Sequence, residues 1–253
     1  MARNLTALRS QVELALTNRV AAPFNYRDRK IVETVSAGIP EIDALTGGLP
    51  RGGLTEICGP ACSGRTSLLT SALASRTANA EVCALIDGQD AFDPYSAELE
   101  GVELKRLLWV RCKNMEHALR ATDLLLQGGG FGMVALDLGD VPAKMMRYVP
   151  LNVWFRFRRA VEDTPTIFVV LEREANAKTC ASLVLQMEAQ TRSWVVTNSS
   201  ASGDGNGTTA KVFQTHACLF EGSTIEVEMV RARGRKTAET SFLVRADGKG
   251  FHI

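Results

Sequence analysis

The chain has 253 residues, 45% of them hydrophobic and 23% charged, with a net charge of +1. That is enough apolar material for one sizeable core, and too little charge for a wholesale nucleic-acid coat, so any nucleic-acid contact must be a local basic patch. The six cysteines (Cys58, Cys62, Cys83, Cys112, Cys180 and Cys218) form no CxxC pair, which argues against a zinc ribbon and for reduced thiols in a cytoplasmic protein. The N-terminus has no apolar signal core, and the run Ile167–Leu171 is far too short to span a bilayer, so a soluble, cytoplasmic protein with no membrane partner is expected.

Leu5, Leu8, Val12, Ala15 and Leu16 recur at helical spacing, which predicts an amphipathic helix over residues 4–19, ended by Pro23. Its apolar face would pack on the chain's own core or on a neighbouring subunit. A polar, basic linker follows to Lys30. From residue 31 strands and helices alternate. Strands are expected at 54–58, 82–86, 107–110, 133–136 and 166–171. Helices are expected after the glycine loop (Leu68, Leu69, Ala72, Leu73), at 115–127 closed by Gly128, and at 151–162 behind Pro150. Continuous apolar strands alternating with helices imply a mostly parallel twisted sheet covered on both faces. After Glu174 the pattern becomes strand-rich, with a flexible composition at 198–208 and a closing antiparallel hairpin at 224–231 and 240–245. The domain reading is an N-terminal helix and linker (1–30) and one α/β core (31–253).

The chemistry concentrates at Gly59-Pro60-Ala61-Cys62-Ser63-Gly64-Arg65-Thr66-Ser67, which follows a strand and opens a helix. In that setting consecutive backbone N–H groups and the helix N-terminus cradle phosphates, and glycines allow close approach. Thr66 would offer its hydroxyl to Mg²⁺, and Asp137, closing four apolar residues, would hold the ion through water. Position 65 departs from the pattern, because arginine replaces the expected lysine: the charge remains, but the group is bulkier and planar. Cys62 sits inside the loop, where a redox role is the alternative to an inert thiol.

Three further stretches carry a resemblance. Residues 35–60, the run Cys83-Ala84-Leu85-Ile86-Asp87-Gly88-Gln89-Asp90-Ala91-Phe92-Asp93-Pro94, and Val227-Glu228-Met229-Val230-Arg231-Ala232-Arg233 together resemble the RecA family core from about residue 31 to residue 250. The family's C-terminal domain is expected to have no counterpart. In length and degeneracy the chain is similar to the short, divergent RecA-like ImuA group of bacterial mutagenic-repair cassettes.

The resemblance implies an ATP and Mg²⁺ site at Gly59–Ser67 and Asp137. It puts Gln89 where the family has a water-activating glutamate, and Glu172 where it has a γ-phosphate-sensing glutamine. An acid and an amide have exchanged places: either hydrolysis has drifted away, or Glu172 is the relocated general base and Gln89 the positioning group. Arg231 and Arg233 match family lysines that reach across a subunit interface; the alternative is a solvated basic hairpin. Single-stranded DNA is expected on two loops, through Lys144, Arg147 and Tyr148 in the first (139–149) and Arg173 and Lys178 in the second (173–181), with Arg156, Arg158 and Arg159 nearby or simply turned to water. The second loop lacks the family's glycine-rich centre.

The function implied is a nucleotide- and single-stranded-DNA-binding protein of DNA repair and SOS mutagenesis with weakened ATP hydrolysis, acting as a homo-oligomer or with a recombinase filament or repair polymerase. The alternative is an active ATP-dependent strand-exchange recombinase.

Overall fold

The computed structural model describes residues 32–196, 218–232, 236–247 and 250–252. The expected helix over 4–19, the linker, the 198–208 segment and Arg233 lie outside them. Contacts divide the chain into residues 1–32 and 33–253, and all described residues but Val32 belong to the second unit.

Strands β1 (Thr34–Val35) and β2 (Leu49–Pro50) pair antiparallel around helix α1 (Pro40–Thr46), which starts on a proline and stops at left-handed Gly47. The main sheet then builds from β3 (Leu54–Cys58), α2 (Arg65–Ala78), β4 (Cys83–Asp87), α3 (Pro94–Leu99), β5 (Leu107–Arg111), α4 (Met115–Gly128), β6 (Met133–Asp137), α5 (Ala143–Met146), α6 (Leu151–Val161) and β7 (Ile167–Glu172). The long β8 (Leu183–Val196), β9 (Cys218–Ala232), β10 (Ala238–Asp247) and β11 (Gly250–His252) complete it. The spatial order is β11-β10-β9-β8-β3-β7-β6-β4-β5. From β8 to β5 all neighbours are parallel, and from β8 to β11 all are antiparallel. The doubly covered, mostly parallel sheet with antiparallel C-terminal strands is the architecture the apolar runs imply.

Each face carries its own core. Leu68, Leu69 and Leu73 of α2 pack on Ile57, Leu85, Ala135, Val169 and Leu185. On the other face Ala118 and Leu126 of α4 and Trp154, Phe157 and Val161 of α6 pack on Ala84, Leu136, Phe168 and Val170. Phe157 meets Trp154 and Phe168 edge-on, at 6.1 and 5.7 Å between ring centres. Helix α4 runs one residue past the expected stop: Gly128 is helical, and the left-handed turn falls on Gly129. The expected hairpin exists, with Thr240 opposite Val227, but both strands extend beyond it and β8 joins them.

Among the described residues no helix is long and apolar enough to cross a membrane. Cys58, Cys83 and Cys180 are buried free thiols, while Cys62 is an exposed one.

Candidate nucleotide site and the two loops beside it

The site lies at the carboxyl ends of the parallel strands, where open α/β sheets place their crevices. Gly59 leaves β3 at φ 157, and a Cβ there would meet the Met187 carbonyl at 2.3 Å. Gly64 enters α2 at φ 83, and a Cβ there would lie 2.9 Å from Ile225. Both positions therefore require glycine. The loop between them leaves Pro60, Ala61 and Cys62 exposed and Ser63 buried. It opens into a cavity of about 560 Å³, lined on the loop side by Cys62, Ser63, Gly64, Arg65, Thr66 and Ser67. That volume lies in the range of small-molecule sites. The Ser63 hydroxyl is buried and has no hydrogen-bond partner, at the mouth of a helix whose N-terminus favours anions.

Arg65 does not project freely into this cradle. It is 7% exposed, and its Nη1 donates to the carbonyl oxygens of Gly139 (2.9 Å) and Glu172 (2.8 Å). Gly139 begins the first candidate DNA loop, and Glu172 immediately precedes the second. The guanidinium thus ties the glycine loop to the roots of both, with Asp140 at 3.9 Å from Nη2. Burial pulls its pKa down, and the charges of Asp137 and Asp140 oppose that pull.

Asp137 ends β6 on the α2 side of the sheet, in phase with Met133 and Ala135. Its Oδ1 accepts from the Gly139 amide at 2.8 Å. Burial pushes its carboxyl above the usual range, while the Gly139 amide and Arg65 hold it back. Thr66 is exposed at the start of α2. A hydroxyl and a carboxylate are the hard oxygen donors that Mg²⁺ takes, and the orphaned Ser63 hydroxyl suits a phosphate oxygen beside it.

The candidate catalytic pair is not brought together. Glu172 is 0% exposed and in phase with Phe168 and Val170, on the sheet face opposite Asp137. Its Oε2 accepts from Asn176 Nδ2, and its Oε1 has no partner. Burial, reinforced by the neighbouring Glu56 charge, pushes its pKa up to about 8. Gln89 lines a different cleft, of about 790 Å³, with Asp90, Arg111, Lys113 and Met145. The residue before its glycine, Asp87, is an organiser: its carboxylate accepts the amides of Gln89, Ala91 and Phe92 and the Trp109 indole N–H.

Sequence reasoning assigned no role to Glu56. It is fully buried in mid-strand, and its Oε1 accepts the amides of Asn176 (2.8 Å) and Ala177 (2.6 Å). Burial raises its pKa against those two amides and the nearby Arg231 charge. Its one legible signal is a carboxylate inside an otherwise uncharged strand. Arg231 itself donates to the Lys178 carbonyl of its own chain.

The two candidate DNA loops sit side by side. Lys144, Arg147, Tyr148, Arg173 and Lys178 are all exposed, Tyr148 at 83%. Arg147 reaches Glu174 (3.7 Å) and Arg173 reaches Asp140 (3.8 Å), so each loop's arginine pairs with the other loop's acid. Exposed pairs of this kind are worth little and yield readily to a competing phosphate. Arg156 is engaged by Asp123 of α4 at 2.8 Å.

A strand, a glycine loop at a helix N-terminus and an acid on a neighbouring strand tip define a phosphate-loop α/β protein. The chain belongs to the RecA family, since the RecA N-terminal domain model matches residues 4–145. The RecA proteins of Brucella canis, Brucella suis and Brucella abortus are each 35% identical to it over 136 residues, covering 53% of this chain. The match spans 38% of the length of those relatives.

Proposed function

We propose that the chain is a RecA-like protein of DNA repair that binds ATP with Mg²⁺ at Gly59–Ser67, and single-stranded DNA across loops 139–149 and 173–181. ATP hydrolysis is weakened. The observation that carries this reading is the split between an open phosphate cradle and an unassembled hydrolytic pair. The loop lines a cavity of small-molecule size, and the Ser63 hydroxyl within the loop has no partner of its own. Glu172, however, is buried on the far face, and Gln89 lines another cleft. Thr66 and Asp137 would hold the ion. The degenerate hydrolytic positions support an ImuA-type accessory of SOS mutagenesis, which would act in the cytoplasm with a recombinase filament or repair polymerase as partner. Arg231 and Arg233 would face a neighbouring copy in a homo-oligomer.

The test separates binding from turnover. Wild type is expected to bind ATP and to show little turnover above a protein-free blank, with no stimulation by single-stranded DNA. DNA-stimulated turnover that disappears in Glu172→Gln would overturn this reading in favour of the strand-exchange recombinase.

For the DNA surface, Tyr148→Ala is expected to weaken binding of an oligothymidylate about tenfold, the stacking contribution of one base. Lys144→Ala is expected to lower the slope of log K against log salt by about 0.7. Fluorescence anisotropy at several salt concentrations checks both, and an unchanged Tyr148→Ala would remove the loop from the interface.

A further inference from the structure

The wall of the cavity opposite the glycine loop comes from the antiparallel ribbon. Leu183, Leu185 and Met187 of β8 face the α2 layer. Strict alternation would send Arg192 and Trp194 to the opposite face. A register shift between Ala189 and Thr191 inserts Gln190 as an extra residue, and Arg192 and Trp194 turn back to the α2 side, where they line the cavity. A second shift leaves Glu221 unopposed on β9, so that Phe220 falls in phase with Ser223 and Ile225, also on the cavity wall. Two bulges thus re-aim three side chains at one space, a recurrent use of bulges beside binding sites.

The result is an aromatic pair at the cavity. The Trp194 and Phe220 rings meet edge-to-face, with centroids 5.4 Å apart and an interplanar angle of 74°. That contact occupies one side of the pair, and Trp194 stays 38% exposed. Asp93, whose carboxylate caps the N-terminus of α3, Ser96 within the helix and Glu100 at its C-terminal cap line the same cavity. A phosphate cradle at one end and a half-exposed indole on the ribbon wall fit a purine nucleoside triphosphate.

We infer that Trp194, backed by Phe220, is the stacking platform for the purine base of the nucleotide whose phosphates occupy the Gly59–Ser67 loop. This rests on the nucleotide-binding reading above. It assigns base recognition to the antiparallel ribbon, a part of the chain outside the stretch matched by the family model.

Inorganic tripolyphosphate separates the two levels, because it carries the phosphates without the base. Its affinity and that of ATP are measured by calorimetry for wild type, Trp194→Ala and Trp194→Phe. The expected result is ATP affinity reduced at least about tenfold in Trp194→Ala, largely recovered in Trp194→Phe, with tripolyphosphate affinity equal in all three. Indole fluorescence gives an independent readout if the alanine variant fails to fold. Trp154 is buried in the other core and Trp109 is tied to Asp87, so quenching by ATP but not by tripolyphosphate should vanish in Trp194→Phe. Equal ATP affinity in wild type and Trp194→Ala, or quenching that survives Trp194→Phe, overturns the platform and leaves the phosphate site standing. Failure of wild type to bind either ligand overturns the platform together with the reading it rests on.

Discussion

Glu172→Gln is expected to stabilise the protein in alkaline solution by about 5 kcal/mol and to change little near pH 5. The folded chain keeps the Glu172 proton up to about pH 8, while an ordinary glutamate releases it near 4.5. Between those values the folded state holds more protons than the unfolded one, so wild-type stability falls as pH rises, and the loss is complete above pH 8. The groups that set this are named in the structure: burial first, then the charge of Glu56, opposed by the Asn176 amide. Glutamine mimics the protonated acid. Its oxygen can accept from Asn176 as Oε2 does, and its amide can donate toward Glu56, whose Oε2 has no partner. Urea denaturation of both proteins at pH 5, 7 and 9 checks this. A stability difference that does not grow with pH would mean that Glu172 is ionised in the fold.

Arg65→Lys carries the second large effect, in two opposite directions. The guanidinium holds two carbonyls, those of Gly139 and Glu172, that a shorter ammonium cannot hold in the same way. Hydrogen bonds from a charged donor to buried acceptors are costly to lose, so a destabilisation of about 3 kcal/mol is expected. A lysine freed from those carbonyls presents a compact charge to the loop, and ATP affinity is expected to rise about tenfold. Denaturation midpoints and calorimetry on the same preparations check both signs. Unchanged stability would show that the two carbonyl contacts are not structural.

Much of the fold is legible because β4, β6 and β7 are buried on both faces and read as apolar runs, each closed by an acid. The glycine loop is legible for the same local reason: Gly59 and Gly64 sit where no side chain fits. What hides is direction. A strand buried on both sides does not disclose which face Glu172 joins, and only the clustering with Phe168 and Val170 places it away from Asp137. Arg65 was readable as a charge in the loop, but its turn toward the strand tips depends on carbonyls 74 and 107 residues away. Trp194 was invisible as a site residue because its facing depends on a bulge, and register against a distant strand is not a local property.

The mooring of the segment between β7 and β8 has a consequence for recognition. Glu56 grips the amides of Asn176 and Ala177, so this span is fastened at its middle to a strand of the core rather than only at its ends. Ordering a free backbone costs roughly 1–2 kcal/mol per residue at the moment of contact. A span fastened in advance has less of that freedom left to surrender, so the proposed DNA contact would need a smaller footprint than one made by a free loop. The same fastening limits adaptability: the middle of the span is held to the core strand, so a strand bound there as proposed would have to fit the contour that Glu56 sets.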